Sequence, residues 1–373
     1  MTDQLNNRIE KFSATGRLLA VWGTGAAGKG DGQFDTPHAV AVDGWGNVYV
    51  ADTRNNRIQK LSPTGRFLAR WGANGGDGTA GLGNGEFNDP RGIAVDEAGN
   101  VYVADHNNNR IQKLSPTGRF LARWGRNGGD GSAGSGNGEF NQPRGLAIDH
   151  AGNIYVAEKL NNRIQELSPA GAFIRRWGAN GGDGTAGTGN GEFNVPYSVA
   201  LDGAGNLYVT DVNNNRIQRF STTGAFRGRF GHNFGDGSAG AGPGEFDEPY
   251  GVATDCRGNV YVTDEGNSRV QKLGVAGTPA PICPPVLAVR VAARRRALMA
   301  TVSCDRPCTA TLQATVGRVR GRGVRAHLVP GRAVRVRLAL RAAQVRPGRR
   351  AMVTATARGL AGAAQTVRMT VAA

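Results

Sequence analysis

The chain has 373 residues and a formal net charge of +16 at pH 7, with 39% hydrophobic residues and 58 glycines. No stretch of about 18 apolar residues occurs, which excludes a membrane-spanning helix, and the hydrophobic share excludes a chain too polar to bury a core. The basic balance first suggests a nucleic-acid partner, but the charge is not spread along the chain.

The first recognisable step is the Asn-Asn-Arg-Ile of residues 6–9. It recurs, sometimes with serine or valine substituted, so that its arginine falls at Arg8, Arg57, Arg110, Arg163, Arg216 and Arg269, spaced by 49 and then four times by 53 residues. A fixed period of this size marks supersecondary units that bury a core only against their neighbours. Residues 2–8 match residues 51–57, so the chain starts in the middle of a unit. This register leads us to expect an upstream segment that supplies a fourth, a first and a second strand.

Within one copy, residues 91–96 (RGIAVD) and 101–105 (VYVAD) are apolar or alternating and are joined by a Gly-Asn turn, a hairpin signal. Residues 111–114 and 120–124 form a second pair across Ser-Pro-Thr-Gly, where proline presets φ and glycine accepts φ > 0. Each copy is thus predicted to be four short antiparallel strands. No helical period exceeds about two turns, so the expected class is all-β, with the copies as blades of a β-propeller. The strand census leaves two closures open: six blades with the first incomplete, or five with a surplus strand.

The strings PRGIAVD, GNVYVAD, NNRIQKL and the closing Trp-Gly resemble the NHL repeat, over residues 1 to about 275. The resemblance implies a propeller of the bacterial, secreted type, generally six-bladed, and it is shared with extracytoplasmic sensor modules of some receptor kinases.

The repeated polar letters read as architecture. Asp52 with Arg57, Asp105 with Arg110, Glu158 with Arg163, Asp211 with Arg216 and Asp264 with Arg269 recur five residues apart. They are expected to pair bidentately across the loop between second and third strands. The glycine-rich insert at 74–87, with copies from 127, 180 and 233, lacks the lysine and helix of a phosphate loop and the spacing of a calcium loop, and reads as a flexible connector.

Function is sought where the copies differ. After the inner-strand proline stand His38, Arg91, Arg144, Tyr197 and Tyr250, which are expected to ring the channel mouth. Two loop residues, His106 and Lys159, extend this rim of ligand-binding candidates, which suits an anionic or polar protein or glycan. Related propellers that are lyases or hydrolases gather several histidines or carboxylates on a metal. Here the five histidines occupy five different register positions. The reading is therefore a non-catalytic binding or sensing scaffold that needs no cofactor or metal. A metal-dependent lyase or hydrolase at the channel mouth is the first alternative, and nucleic-acid binding the second.

After a linker at 276–285, residues 286–373 alternate apolar with polar residues over six or seven segments, as in an immunoglobulin-like sandwich. From residue 283 onward there are 18 arginines and one acid, Asp305, against 27 basic and 28 acidic residues before it. The propeller is therefore nearly neutral, which argues against nucleic acid. The tail could meet an anionic cell-envelope polymer. Four cysteines, Cys256, Cys283, Cys304 and Cys308, suggest two disulfides and an extracytoplasmic location, with the signal peptide lost through a truncated or misassigned start.

Overall fold

The computed structural model describes residues 1–255 and 258–274, together with the backbone of eight strands between residues 287 and 372. It forms two compact units, Met1–Thr278 and Pro279–Ala373. The first is a six-bladed β-propeller. Its opening blade has three strands, β1 (Thr2–Asp3), β2 (Arg8–Phe12) and β3 (Leu18–Trp22), and has no innermost strand. Four complete blades follow in the order inner to outer: β4 (Pro37–Val42) to β7 (Phe67–Trp71), β8 (Pro90–Val95) to β11 (Phe120–Trp124), β12 (Pro143–Ile148) to β15 (Phe173–Gly178), and β16 (Pro196–Leu201) to β19 (Phe226–Phe230). The sixth comprises, among the described residues, β20 (Pro249–Thr254), β21 (Val260–Asp264) and β22 (Arg269–Leu273).

The second strands β5 (Val48–Asp52), β9 (Val101–Asp105) and β13 (Ile154–Glu158) are buried at every residue, because a blade's middle is covered by neighbours on both faces. Each Gly-Glu-Phe phenylalanine staples two blades. Phe140 packs between Tyr102, Ala104 and Ile111 of the third blade and Leu146, Ile154, Val156 and Leu167 of the fourth.

The turn chemistry accounts for the repeated letters. Asp96 Oδ1 accepts the backbone N–H groups of Ala98 and Asn100, and its Oδ2 accepts the Tyr102 hydroxyl at 3.2 Å, closing the first hairpin. Gly118, at φ +84°, turns the outer hairpin against the preceding blade. A Cβ there would stand 2.0 Å from Trp71 Nε1, so glycine is required twice over.

The acid–arginine pairs form, but the aspartates are held through one arginine nitrogen and not bidentately. Arg110 Nε donates to Asp105 Oδ2 at 2.7 Å with both side chains fully buried. Its other donors go to backbone carbonyls: Nη1 to Leu82 and Gly129, and Nη2 to Gly83 and Glu86. All five N–H groups of the guanidinium are thus engaged. Asn108 Nδ2 donates to Gly81 O and Gln112 Nε2 to Glu86 O, so the glycine-rich connector is pinned along its length and is not the flexible segment its composition suggests. The second asparagine, Asn109, adopts φ 45° and bridges forward, its Oδ1 accepting the Gln142 backbone N–H of the next connector.

In the second unit the described backbone comprises β23 (Leu287–Arg294), β24 (Ala297–Cys304), β25 (Cys308–Val316), β26 (Val319–Arg320), β27 (Val324–Leu328), β28 (Val334–Ala339), β29 (Arg350–Gly359) and β30 (Ala364–Ala372). They pair as two antiparallel sheets. The proposed disulfides lie outside the described residues, as do the arginine side chains of this unit.

Candidate functional site

The proline that opens each inner strand sets the register, so the residue after it falls at the same height in every blade. His38, Arg91, Arg144, Tyr197 and Tyr250 accordingly converge on one cavity of about 700 Å³ at the channel mouth. The N-terminal residues Met1 to Asn6 and residues of β21 and β22 complete its wall, on the side where the opening blade has no inner strand.

The five side chains touch one another. Arg91 Nη1 lies 3.0 Å from His38 Nε2 and the Tyr197 hydroxyl 3.1 Å from the same nitrogen. An arginine can only donate, so His38 Nε2 is the acceptor there, and Nδ1 stands 3.5 Å from the Gln4 amide nitrogen. The His38 ring stacks on Tyr197 with centroids 5.7 Å apart, and Tyr197 meets Tyr250 edge-on at 4.5 Å. Arg144 lies over the face of Tyr197, 4.1 Å from the ring centroid. Burial, helped by Arg91, Arg144 and His106, holds His38 down to about 3, so this imidazole is neutral. Burial also lowers Arg144 to about 10 and raises the Tyr197 phenol.

His106 and Lys159 do not line the cavity. His106 is 3% exposed and its Nδ1 donates to the Pro143 carbonyl of the next blade at 3.2 Å. Thr53 does the same for Pro90 at 2.8 Å. In these two copies the register position therefore ties neighbouring blades together. Burial, with Arg144 and Arg91, lowers Lys159.

The neutral His106 gives the protein an acid sensitivity. Its proton affinity is about 3 in the folded state against 6.5 without the fold, the cause being burial first and Arg144 and Arg91 next. The unfolded chain therefore binds the proton first, and stability present above pH 6.5 is lost as pH falls toward 3. At pH 5 the loss attributable to His106 is expected to be about 2 kcal/mol. Urea denaturation at pH 7.5 and pH 5 checks this: His106→Asn, which keeps a donor near Pro143, should show a smaller difference between the two pH values than the unsubstituted protein.

Two groups escape the sequence reading. Asp89 takes Arg91 Nε at 2.7 Å and is the carboxylate of the cluster. Its position, occupied elsewhere by Thr36, Gln142, Val195 and Glu248, also varies from copy to copy, and that variation was the available signal. Ser198 sits where other copies have glycine or alanine, Thr263 where three copies have alanine, and both hydroxyls act inside the wall, Thr263 Oγ1 accepting Gly251 N–H at 2.7 Å and Ser198 Oγ accepting Val252 N–H at 3.3 Å. Among the described residues, no group of three His, Cys, Asp or Glu side chains is placed to hold a metal ion.

A family model, the NHL repeat, matches residues 34–61, 87–114, 140–167, 193–220 and 246–273. The propeller is built from NHL repeats. Each match runs from a Gly-Glu-Phe or Gly-Gln-Phe phenylalanine to the end of a third strand, so it contains the whole acid–asparagine–arginine clamp.

The NHL propeller is 38% identical over 100 residues to human NHL repeat-containing protein 3, covering 26% of this chain and 27% of that protein. It is 34% identical over 138 residues to the mouse peptidyl-glycine alpha-amidating monooxygenase, covering 36% of this chain and 14% of that one. The chain thus spans about a quarter or less of the length of these curated relatives. Among solved structures, a streptogramin B lyase aligns with a TM-score of 0.47 and 18% identity, over 76% of this chain and 80% of the other, a likeness of fold.

The expectation that the chain is not an enzyme is corrected by these relatives. It rested on missing motifs and unconverged histidines, yet an enzyme is among the proteins that share this sequence pattern.

Proposed function

We propose that the protein is an extracytoplasmic binding or sensing platform whose channel mouth receives a protein or glycan partner. The observation that carries this is the convergence of the five copy-specific residues on one cavity, while the residues common to all copies are consumed in the clamps. The proposal concerns recognition, and any chemistry at His38 or Tyr197 would follow on the same binding step. The two antiparallel sheets between residues 287 and 372 support an immunoglobulin-like second unit. Its arginines would favour an anionic cell-envelope polymer.

The test is binding of the full-length protein to glycan and peptide arrays. Loss of the hits in an Arg91→Gln/Tyr197→Phe/Tyr250→Phe variant, with hits retained in Thr117→Ala on an exposed outer turn, is expected. Equal hits from both variants would reject the channel mouth as the site.

A further inference from the structure

Arg144 stands apart from the other arginines whose guanidinium groups are buried. It is 7% exposed, yet its Nε has no hydrogen-bond partner, and no carboxylate of the described residues lies within ion-pair distance. The nearest candidate, Asp89, is already committed to Arg91 Nε. A buried cation left without an anion is costly, and structures normally supply one. Its guanidinium carbon stands 4.1 Å from the Tyr197 ring centroid and the residue lines the cavity, so the cation borders the space a ligand would fill.

From this we infer that Arg144 is the anchor for the carboxylate of a sugar acid, such as a uronate unit of a glycan, lying against Tyr250 in the channel mouth. The inference rests on the channel-mouth reading above and names its ligand. A planar carboxylate can take two of the terminal guanidinium donors at once. The Tyr250 ring in the cavity wall offers an apolar surface for the C–H side of a ring. Glu265 lines the same cavity, and burial together with Glu248 raises its proton affinity. It supplies an acceptor for hydroxyl groups at the far end of the ligand. A carboxylate at one end and hydroxyls at the other is the pattern of a sugar acid, and neither a neutral sugar nor a simple carboxylate satisfies both ends.

Calorimetric titration of the full-length protein with D-glucuronate tests the inference, with D-glucose, N-acetylglycine and inorganic phosphate as comparison probes. Glucuronate is expected to bind at least about tenfold more tightly than each of the three, and Arg144→Gln to lose about tenfold or more of that affinity. Arg144→Lys keeps the charge but not the fork and should lose most of it too, which covers the case in which the glutamine variant misfolds. Phosphate binding as tightly as glucuronate, glucose binding equally, unchanged affinity in both variants, or no saturable binding of glucuronate at millimolar concentration would each overturn the assignment. Should the assignment fall while the rim variant still abolishes array binding, the channel-mouth site stands and only its ligand is wrong.

Discussion

Arg110→Met is expected to destabilise the propeller by roughly 3–5 kcal/mol, read as a shift in the midpoint of chemical denaturation. The substitution leaves the Asp105 carboxylate buried with no cation, and burial already pushes its proton affinity up against the pull of Arg110. It also strips donors from the carbonyls of Leu82, Gly83 and Glu86, so the connector loses its anchor. Arg269→Met provides the internal comparison. The same ion pair there is 2.7 Å long, but the arginine side chain is 30% exposed in the sixth blade, so water can replace part of what is removed. A smaller loss, about 1–2 kcal/mol, is expected at that site. Equal losses at the two positions would mean that burial is not what gives the clamp its strength.

Phe140→Ala is expected to cost about 3–5 kcal/mol in the same experiment. The ring is fully buried and contacts two blades at once, so its removal opens a cavity at an inter-blade seam rather than inside one sheet. Neighbouring strands are fixed by their own ladders and cannot close the gap, which places the cost toward the upper end for this substitution. In a propeller each blade rests on its neighbours, so loss at one seam should reduce cooperativity as well as midpoint. An unaltered denaturation slope with a loss below about 1 kcal/mol would show that the seam can collapse and that Phe140 is not a staple.

The fold is legible because each repeated letter answers a backbone demand that recurs at a fixed place. Asp96 to Asn100 closes a turn, Gly118 accepts both φ +84° and the Trp71 ring, and Arg110 meets carbonyls that only a close loop presents. The same regularity makes the shared height of His38, Arg91, Arg144, Tyr197 and Tyr250 readable from the repeat alone, since the inner-strand proline fixes their register. What composition conceals is the state of the connectors. Their glycines signal freedom, but Gly81 and Gly83 leave room for the Glu86 side chain, whose carboxylate takes the Gly83 N–H, while their carbonyls are held by Asn108 and Arg110. His106 is misplaced by sequence reasoning for a related cause: variation between copies also occurs at buried positions, and Thr53, His106 and Val212 are interchangeable ways of filling one inter-blade site. Catalysis is misjudged because the absence of motifs receives a weight that the monooxygenase relative does not allow.

The division between architectural and ligand-selecting residues is tested most directly by the dissociation constant of D-glucuronate in Arg144→Gln and in Phe140→Leu, each with its melting temperature recorded on the same sample. Expected is a loss of affinity of about tenfold or more at a melting temperature that is not lowered for Arg144→Gln, and a lowered melting temperature at unchanged affinity for Phe140→Leu. Wild-type affinity in Arg144→Gln, or lost affinity in a still-folded Phe140→Leu, would contradict it.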